Sequence, residues 1–361
     1  MALEESVLTR EDIETLLTLE YGIHLVNHSQ LSFGTANCYK IICAEGEFFL
    51  KEYQSRFTLE DIEREAKLVE FLISKEYPTA GFIKTLKGNY GTMHEGHAIG
   101  VQEYVSGETY ENELPHSLLL ESAAYLGRLH QLLKDYPLKT DMDDKWVQGF
   151  SVQKACAQCD ELLDTIEKDK SDPYYERIRE DLAYKNELNL SLEKMKIYYD
   201  GITYLSTHGD YSACQLIGEN GRIKAVIDFS SAVSLPIVWE IMRAYIQSSS
   251  ACKDGRRFDL DDFLLFVKEY LKYAPLTRSD LKAMPYVYLF QLGRSYYGFK
   301  EYLLTKASNK DKLIEFACSM LKIFNPDKGK LEQFANIFSI LTSYNKLSFI
   351  YNSMNRRIPF L

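Results

Sequence analysis

The order of strand-like and helix-like segments limits the folds open to this sequence. Runs rich in β-branched and aromatic residues, separated by short turns, fall within the first 105 residues. From Ser117 onward, almost every segment has the apolar periodicity of an amphipathic helix. The exception is residues 207–232, where two strand-like runs flank Asn220-Gly221, a dipeptide typical of hairpin turns. This order predicts an α+β protein.

The predicted strands and helices divide the chain into two domains. We place the boundary at the Ser106-Gly107 hinge, which gives an N-terminal domain of residues 1–105 and a C-terminal domain of residues 106–361. The predicted N-terminal strands are 23–33, 37–44, 47–53, 81–86 and 98–105. The predicted helices are 10–20, 58–75, 117–134, 151–168, 174–197, 236–250, 259–272, 278–304, 311–323 and 330–352.

Three oxygen-bearing side chains lie near the open end of the predicted hairpin. Asp210 precedes it, Gln215 begins its first strand and Asp228 ends its second. Each residue alone is compatible with a purely structural place in a turn or at a strand end. Together they offer the hard oxygen ligands that Mg²⁺ prefers, and Mg²⁺ needs few of them when substrate phosphates supply the rest. The spacing therefore favours a functional site.

Composition excludes several other classes of protein. A net charge of −10 argues against nucleic acid as a partner, because phosphates require a basic surface. Seven scattered cysteines have no disulfide spacing, which indicates a reducing compartment. The N-terminus is charged from its fourth residue, unlike a signal peptide, and no apolar run approaches the length of a membrane span. We therefore expect a cytoplasmic protein without a membrane partner.

The pattern HGDxxxxQ followed by IDF resembles the aminoglycoside phosphotransferase and choline-kinase family, small-molecule kinases with a two-lobed, protein-kinase-like fold. The resemblance extends from about residue 22 to about residue 250 and implies ATP and Mg²⁺ as cofactors. It implies that Asp210 accepts or orients the proton of the substrate hydroxyl and that His208 supports this loop. Gln215 and Asp228 would hold Mg²⁺, with Gln215 standing where the family usually has Asn.

The same resemblance implies a lysine on the third strand and a glutamate on the following helix. Lys51 lies near the end of the predicted strand 47–53. On helix 58–75, a spacing of 100° per residue places Glu65 at the edge of the apolar face, within reach of an inward-facing lysine. We therefore expect Lys51 and Glu65 to form an ion pair that positions the ATP phosphates.

Three further positions are implied for nucleotide binding. Gly34 lies in the segment that takes the place of the phosphate-covering loop. In VQEYVSG, which resembles the family's hinge, the Glu103 carbonyl and the Val105 amide would meet the adenine edge. His130, in a helix that resembles the family's LGxLH helix, is expected to be a buried core histidine rather than a catalyst.

The function predicted from these residues is transfer of the γ-phosphate of ATP to a hydroxyl of a small molecule. A protein kinase is disfavoured, because Pro236 and a helix follow Asp228 too closely for a peptide-presenting loop. The alternative is a catalytically impaired, kinase-like structural or binding protein, such as a spore-coat-associated relative. The acceptor class (aminoglycoside, amino alcohol, homoserine or sugar) and the oligomeric state stay open.

Overall fold

The chain forms two compact units, each built from more than one segment. The computed structural model describes residues 4–31, 36–136, 150–195, 199–306 and 309–324. The first unit comprises Met1–Tyr110, Cys214–Ala232 and Thr305–Lys310. The second comprises Glu111–Ala213, Val233–Leu304 and Asp311–Leu361. Among the described helices, none has the length and apolar character needed to span a bilayer.

The first unit is built on a five-stranded antiparallel sheet of order β1-β2-β3-β5-β4. Its strands are β1 (Leu25–Leu31), β2 (Asn37–Cys43), β3 (Gly46–Glu52), β4 (Gly91–His94) and β5 (His97–Glu103). The β4–β5 hairpin turns at Glu95 and Gly96, both with positive φ. Because L-residues rarely adopt this conformation, the glycine lowers the cost of the turn.

Two helices of the first unit begin at threonine caps. Helix α1 (Arg10–Leu16) continues into a π-helical turn, Leu17–Tyr21, and α2 spans Leu59–Ser74. Thr9 and Thr58 each accept a hydrogen bond from the backbone of an aspartate three residues later, which bonds back to the cap. Such capping boxes satisfy backbone donors that a helix start leaves open.

The core of the first unit lies on both faces of the sheet. Residues of α1 and its π-helical turn pack with side chains of β2, β3 and β5 in one cluster of buried residues. Tyr53, Ile62 and Ala98 form a second cluster, in which α2 contributes Ile62. Burying apolar surface on both faces is the main source of stability for a small sheet.

The hairpin of residues 214–232 is grouped with the first unit because its strands pair there. Strands β6 (Glu108–Thr109), β8 (Leu216–Glu219) and β9 (Arg222–Val226) form a three-stranded sheet of order β6-β8-β9. A Cβ at Gly107 would lie 2.4 Å from the carbonyl oxygen of Gly218. Only glycine allows the two segments to approach this closely. Gly107, which the sequence predicted to be part of a hinge, therefore lies against the strand that contains Gly218.

The second unit is mostly helical, as the sequence predicted. Its helices are α3 (His116–Leu133), α4 (Val152–Ile166), α5 (Tyr175–Met195), α6 (Ile237–Ile246), α7 (Leu260–Tyr270), α8 (Arg278–Arg294), α9 (Tyr297–Leu304) and α10 (Lys310–Phe324). Its core includes a cluster of buried residues from α4, α5, α9 and α10. A two-stranded antiparallel sheet pairs β7 (Tyr204–Thr207) with β10 (Val233–Pro236). The α+β class is confirmed.

A buried lysine stabilises the end of α8. The Lys185 ammonium group donates to the carbonyl oxygens of Leu292 and, at 2.7 Å, Ser295. Carbonyls in the last turn of a helix have no partner within the helix, and Lys185 supplies one. Burial lowers the pKa of Lys185 to about 7, and a neutral amine still has a proton for each carbonyl.

Several element predictions were wrong. Residues 81–86 form only an isolated bridge, Phe82 to Gln102, because the chain turns back through Thr85 and the hairpin partner of β5 is β4. The predicted helix 278–304 is broken at Ser295, whose backbone is extended. Strand β10 was missed. The predicted helix 330–352 lies outside the described residues.

Candidate active site

In the first unit, the buried Lys51 forms an ion pair with the accessible carboxylate of Asp228. Lys51 lies in β3, where it pairs with Cys38 of β2 and Gly100 of β5. Its ammonium group donates to Asp228 Oδ1 at 2.7 Å and to the Ser230 hydroxyl at 3.2 Å. Burial alone would lower the pKa of Lys51, but the Asp228 and Glu65 carboxylates outweigh it and raise this pKa. Lys51 is therefore a fixed positive charge.

Glu65 lies close to Lys51 but does not pair with it directly. Its carboxylate, in the buried face of α2, accepts a hydrogen bond from the Tyr53 hydroxyl at 2.8 Å. The Lys51 ammonium group lies 4.7 Å from the centre of the Tyr53 ring. Burial raises the pKa of Glu65 to about 7, although the Lys51 charge acts in the opposite direction.

The structure contradicts the predicted direct ion pair between Lys51 and Glu65. Within the described chain, the carboxylate bonded to Lys51 is that of Asp228. The Tyr53 hydroxyl, rather than the Lys51 ammonium group, donates a hydrogen bond to Glu65. The placement of Glu65 at the edge of the apolar face is also corrected, because the residue is 4% exposed.

Gln215 and Asp228 come to the same end of the β8–β9 hairpin, as predicted. The backbone amide of Ile227 donates to the carbonyl oxygen of Gln215 at 2.9 Å, which extends the strand pairing to this end. Asp228 follows with a left-handed backbone, φ 62°. Its carboxylate accepts a hydrogen bond from the Ser230 hydroxyl at 2.6 Å. A left-handed aspartate is sparsely populated, and such conformations occur often at functional sites.

The donor set at this end fits a magnesium ion that also binds phosphate. Asp228 offers a carboxylate with a side chain 37% exposed, and Gln215 offers an amide. In the described part of the chain, no group of three or more His, Cys, Asp or Glu residues forms a metal site. Mg²⁺ bound by one or two protein oxygens plus phosphates does not require such a group.

In the second unit, a buried glutamate holds the loop that contains Asp210. Glu240 of α6 accepts hydrogen bonds from the backbone amides of His208, at 3.1 Å, and Gly209, at 2.6 Å. His130 of α3 donates its Nε2–H to the same carboxylate at 2.8 Å. Burial alone would raise the pKa of Glu240, but the bonds from His130 and Gly209 outweigh it and lower this pKa. Glu240 thus fixes the loop as an anion.

Asp210 forms an ion pair with Arg243, one turn after Glu240 on α6. The Asp210 side chain is 38% exposed, so the carboxylate is accessible. His208 is fully buried, and its Nδ1 accepts a hydrogen bond from the Asp210 amide at 3.3 Å. Its ring contacts Tyr211 edge-on. This geometry agrees with a supporting place for His208 in the loop.

His130 is a fully buried histidine with both ring nitrogens bonded, as predicted. Besides Glu240, it bonds the Tyr270 hydroxyl at 2.8 Å through Nδ1. Because Nε2 donates to a carboxylate, Nδ1 of a neutral ring accepts from the hydroxyl. His130 therefore positions Glu240 and has no partner that would make it a catalyst.

The remaining predicted nucleotide-binding positions are placed only in part. Gly34 lies outside the described residues. Glu103 ends β5, and its carboxylate accepts a hydrogen bond from the Gly81 amide at 3.2 Å. Val105 follows two residues later, outside any strand. Adenine contacts at Glu103 and Val105 stay predictions.

Sequence reasoning missed Tyr53, Glu240 and Arg243. Tyr53 is two residues after Lys51, and side chains two apart on a strand share a face, so this signal was available. Glu240 and Arg243 lie about 30 residues after Asp210 within an apolar helix pattern. Their spacing of three residues shows only that they share a helix face.

Comparison with solved structures shows that the fold is that of small-molecule kinases. The amicoumacin kinase hAmiN, in complex with AMP-PNP, Ca²⁺ and Ami, has a TM-score of 0.62 and 14% identity over 88% of this chain and 95% of its own. Spectinomycin phosphotransferase APH(9)-Ia, with ADP and spectinomycin, has a TM-score of 0.62 and 14% identity, covering 92% and 99%. The Plasmodium vivax ethanolamine kinase has a TM-score of 0.57 and 12% identity, covering 89% and 90%.

A sequence comparison then identifies the family. The profile of the phosphotransferase enzyme family matches residues 28–276, more than half of the chain. The chain therefore belongs to the phosphotransferase enzyme family, and the resemblance seen in its motifs is confirmed. No curated protein sequence matches the chain significantly.

Proposed function

We propose that this protein transfers the γ-phosphate of ATP to a hydroxyl group of a small molecule and requires Mg²⁺. The observation on which this rests most is the ion pair between buried Lys51 and accessible Asp228 in the first unit, beside Gln215 at the hairpin end. A buried cation and an accessible carboxylate are the groups that kinases use for ATP phosphates and for the metal. The nucleotides in the similar kinase structures support the same assignment.

In the first unit, Lys51 binds nucleotide phosphate oxygens in this proposal. Its ammonium donates a hydrogen bond to Asp228, and phosphate oxygens compete with that carboxylate for its protons. Asp228 and Gln215 would hold Mg²⁺, which when bound neutralises charge on the phosphates. Glu65 and Tyr53 keep Lys51 in position through the contacts described above.

In the second unit, Asp210 receives the proton of the acceptor hydroxyl. The hydroxyl oxygen forms a bond to the γ-phosphorus while the bond from that phosphorus to the bridging oxygen of ADP breaks. The leaving ADP keeps the electron pair, and the proton goes to the Asp210 carboxylate. Arg243 forms an ion pair with Asp210, and Glu240 fixes the backbone of its loop.

A lysine substitution with a matched control tests the nucleotide part of this proposal. Lys51→Met should abolish most of the stabilisation by Mg-ATP, which for the wild-type protein reaches about 2.7 kcal/mol at 100 times the dissociation constant. Lys40→Met is the control, because Lys40 lies on β2 and pairs with Glu47 near the surface. We expect Lys40→Met to behave as the wild type does in thermal unfolding with and without nucleotide.

The catalytic part is tested by ADP release over a panel of hydroxyl compounds. Acceptor-dependent ADP release that disappears in Asp210→Asn would support phosphoryl transfer. A protein that binds Mg-ATP but phosphorylates no acceptor in the panel would favour the alternative, a kinase-like binding protein without activity. A protein that shows no shift with millimolar Mg-ATP would contradict the nucleotide assignment itself.

A further inference from the structure

A cavity in the second unit adjoins Asp210 and has the size of a small-molecule site. Its volume is about 300 Å³, and it is lined by residues of α5, α6, α8, α9 and α10 together with Asp210. Ligand pockets begin at about this volume. Aromatic rings form much of the wall: Trp239, Tyr288, Tyr297, Phe299 and Phe316.

Three polar atoms on residues that line this cavity have no hydrogen-bond partner in the described part of the protein. They are Trp239 Nε1, Arg243 Nε and Gln291 Oε1. Trp239 is 8% exposed, so its indole N–H is cut off from most solvent. An indole N–H and a guanidinium N–H donate and cannot accept. Leaving such buried donors unpaired is unfavourable, so the cavity favours a ligand with acceptor oxygens.

The charges around the cavity also favour a ligand with acceptor oxygens over a cationic one. Of the lining residues that the structure describes, Asp210 is the acidic one and Lys185 and Arg243 are the basic ones. The Asp210 carboxylate is already bonded to Arg243, and Lys185 is bonded to two carbonyls. A ligand with several ammonium groups would meet the Arg243 cation and one compensated anion, which disfavours its binding.

We propose that the acceptor is a hydroxy acid, a small molecule with a hydroxyl a few bonds from a carboxylate, and that Arg243 and Trp239 bind that carboxylate. This inference rests on the proposed phosphotransferase function and names its acceptor class. Because Arg243 contacts Asp210 directly, a carboxylate on the guanidinium leaves a nearby hydroxyl within reach of Asp210. In this proposal, Arg243 makes the protein bind an acid more tightly than an amine that has the same carbon skeleton.

Binding can be measured without any turnover, because the cavity contains one of only two tryptophans. Trp146→Phe leaves Trp239 as the single tryptophan reporter. Gluconate, sorbitol and glucamine share one carbon chain and differ in a terminal carboxylate, hydroxyl or ammonium. Glycerate, glycerol and 3-aminopropane-1,2-diol form the same series with three carbons. We expect Trp239 emission to report at least tenfold tighter binding of the acid than of the amine in one or both series.

Substitutions at Arg243 test whether its guanidinium group causes the preference for the acid over the amine. Arg243→Met should reduce the acid-to-amine ratio of dissociation constants to about one, and Arg243→Lys should keep part of it. Arg257→Met is the control, because Arg257 pairs with Asp259 at the surface and should leave the ratio unchanged. Equal or tighter binding of the amine, or no binding of either acid, overturns the inference.

Turnover measurements separate this inference from the proposed function. ATP-dependent phosphorylation of gluconate or glycerate in preference to their amines supports both. If the acids bind at Trp239 and no hydroxyl compound is phosphorylated, the acid site stands and the phosphotransferase proposal fails. If sorbitol, glycerol or the amines are the better acceptors, the phosphotransferase proposal stands and the hydroxy-acid inference fails.

Discussion

Asp228 in the first unit and Asp210 in the second are both accessible carboxylates bonded to a cation, but different elements support them. Asp228 takes its geometry from its own left-handed backbone and from Ser230, and its cation comes from strand β3. Asp210 depends on α6 for both purposes, since Glu240 holds the backbone of its loop and Arg243 supplies the charge. A substitution that disturbs α6 therefore affects both the backbone and the cation partner of Asp210. Asp228 is supported by two separate elements.

Removing each carboxylate charge gives the largest expected contrast. Asp210→Asn should lower turnover by about 10² to 10⁴-fold while nucleotide still stabilises the protein, because general-base catalysis contributes about that much. Asp228→Asn should lower both turnover and the stabilisation by Mg-ATP. Steady-state rates and thermal unfolding with nucleotide measure the two effects. Turnover of Asp210→Asn within tenfold of the wild type would remove its assigned role.

Glu240→Gln tests whether α6 acts on Asp210 through the loop backbone. We expect turnover to fall by about 10 to 100-fold with the Mg-ATP shift unchanged, because a neutral amide weakens the bonds to two amides and to His130. The matched control is Glu269→Gln on α7, where the carboxylate pairs with Lys272 at the surface. An equal loss in both variants would indicate a general effect on folding.

The pH dependence of stability should change in Glu240→Gln as well. The pKa of Glu240 is lowered in the folded protein, so its stabilising contribution is fully present above the ordinary value of 4.5. This contribution is lost as the pH falls through the lowered pKa. The free energy of urea unfolding should therefore fall more steeply below pH 4.5 in the wild type than in the variant. Parallel curves would show that Glu240 is not held as an anion.

Glu65 should show the opposite sign in the first unit. Its folded pKa is raised from 4.5 to about 7, so its contribution is fully present below pH 4.5 and is lost as the pH rises through 7. Relative to Glu65→Gln, the wild type should lose on the order of 1–3 kcal/mol of unfolding free energy between pH 5 and pH 8. Tyr53→Phe should shift this loss to higher pH, because the Tyr53 hydroxyl favours the anion. A constant difference across this range would contradict the raised pKa.

Substitution of Gln215 should have the smallest effect, and it tests the proposed Mg²⁺ ligands at the end of the hairpin. Gln215→Ala should raise the Mg²⁺ concentration needed for half-maximal activity several-fold, because one neutral oxygen ligand is lost. Gln215→Asn should stay active, since it keeps the same type of oxygen. A titration of rate against Mg²⁺ measures both variants. An unchanged midpoint in Gln215→Ala would leave Asp228 as the metal ligand of the chain.

The difference between the two carboxylates also explains what could be predicted from sequence. Asp210, Asp228 and Lys51 were found because each lies in a local pattern, and the pairing of residues 215 and 227 follows from a hairpin turn. Arg243 and Glu240 were missed because their partners are distant in sequence, and only the packing of α6 reveals them. The direct Lys51–Glu65 pair was wrong because helix periodicity shows which side is buried but not which of two carboxylates a lysine contacts.

The discontinuity of the first unit has a consequence for how the protein is made. During translation, the ribosome releases residues 1–110 long before residues 214–232, with the whole of Glu111–Ala213 in between. Until the later segment emerges, β6 lacks its neighbour β8, and Lys51 lacks the anion it contacts. A nascent chain stopped at Tyr110 would therefore contain the strands of the five-stranded sheet but not the Lys51–Asp228 pair. In the cell, the unit that begins first along the chain therefore cannot be finished until much of the second unit has been made.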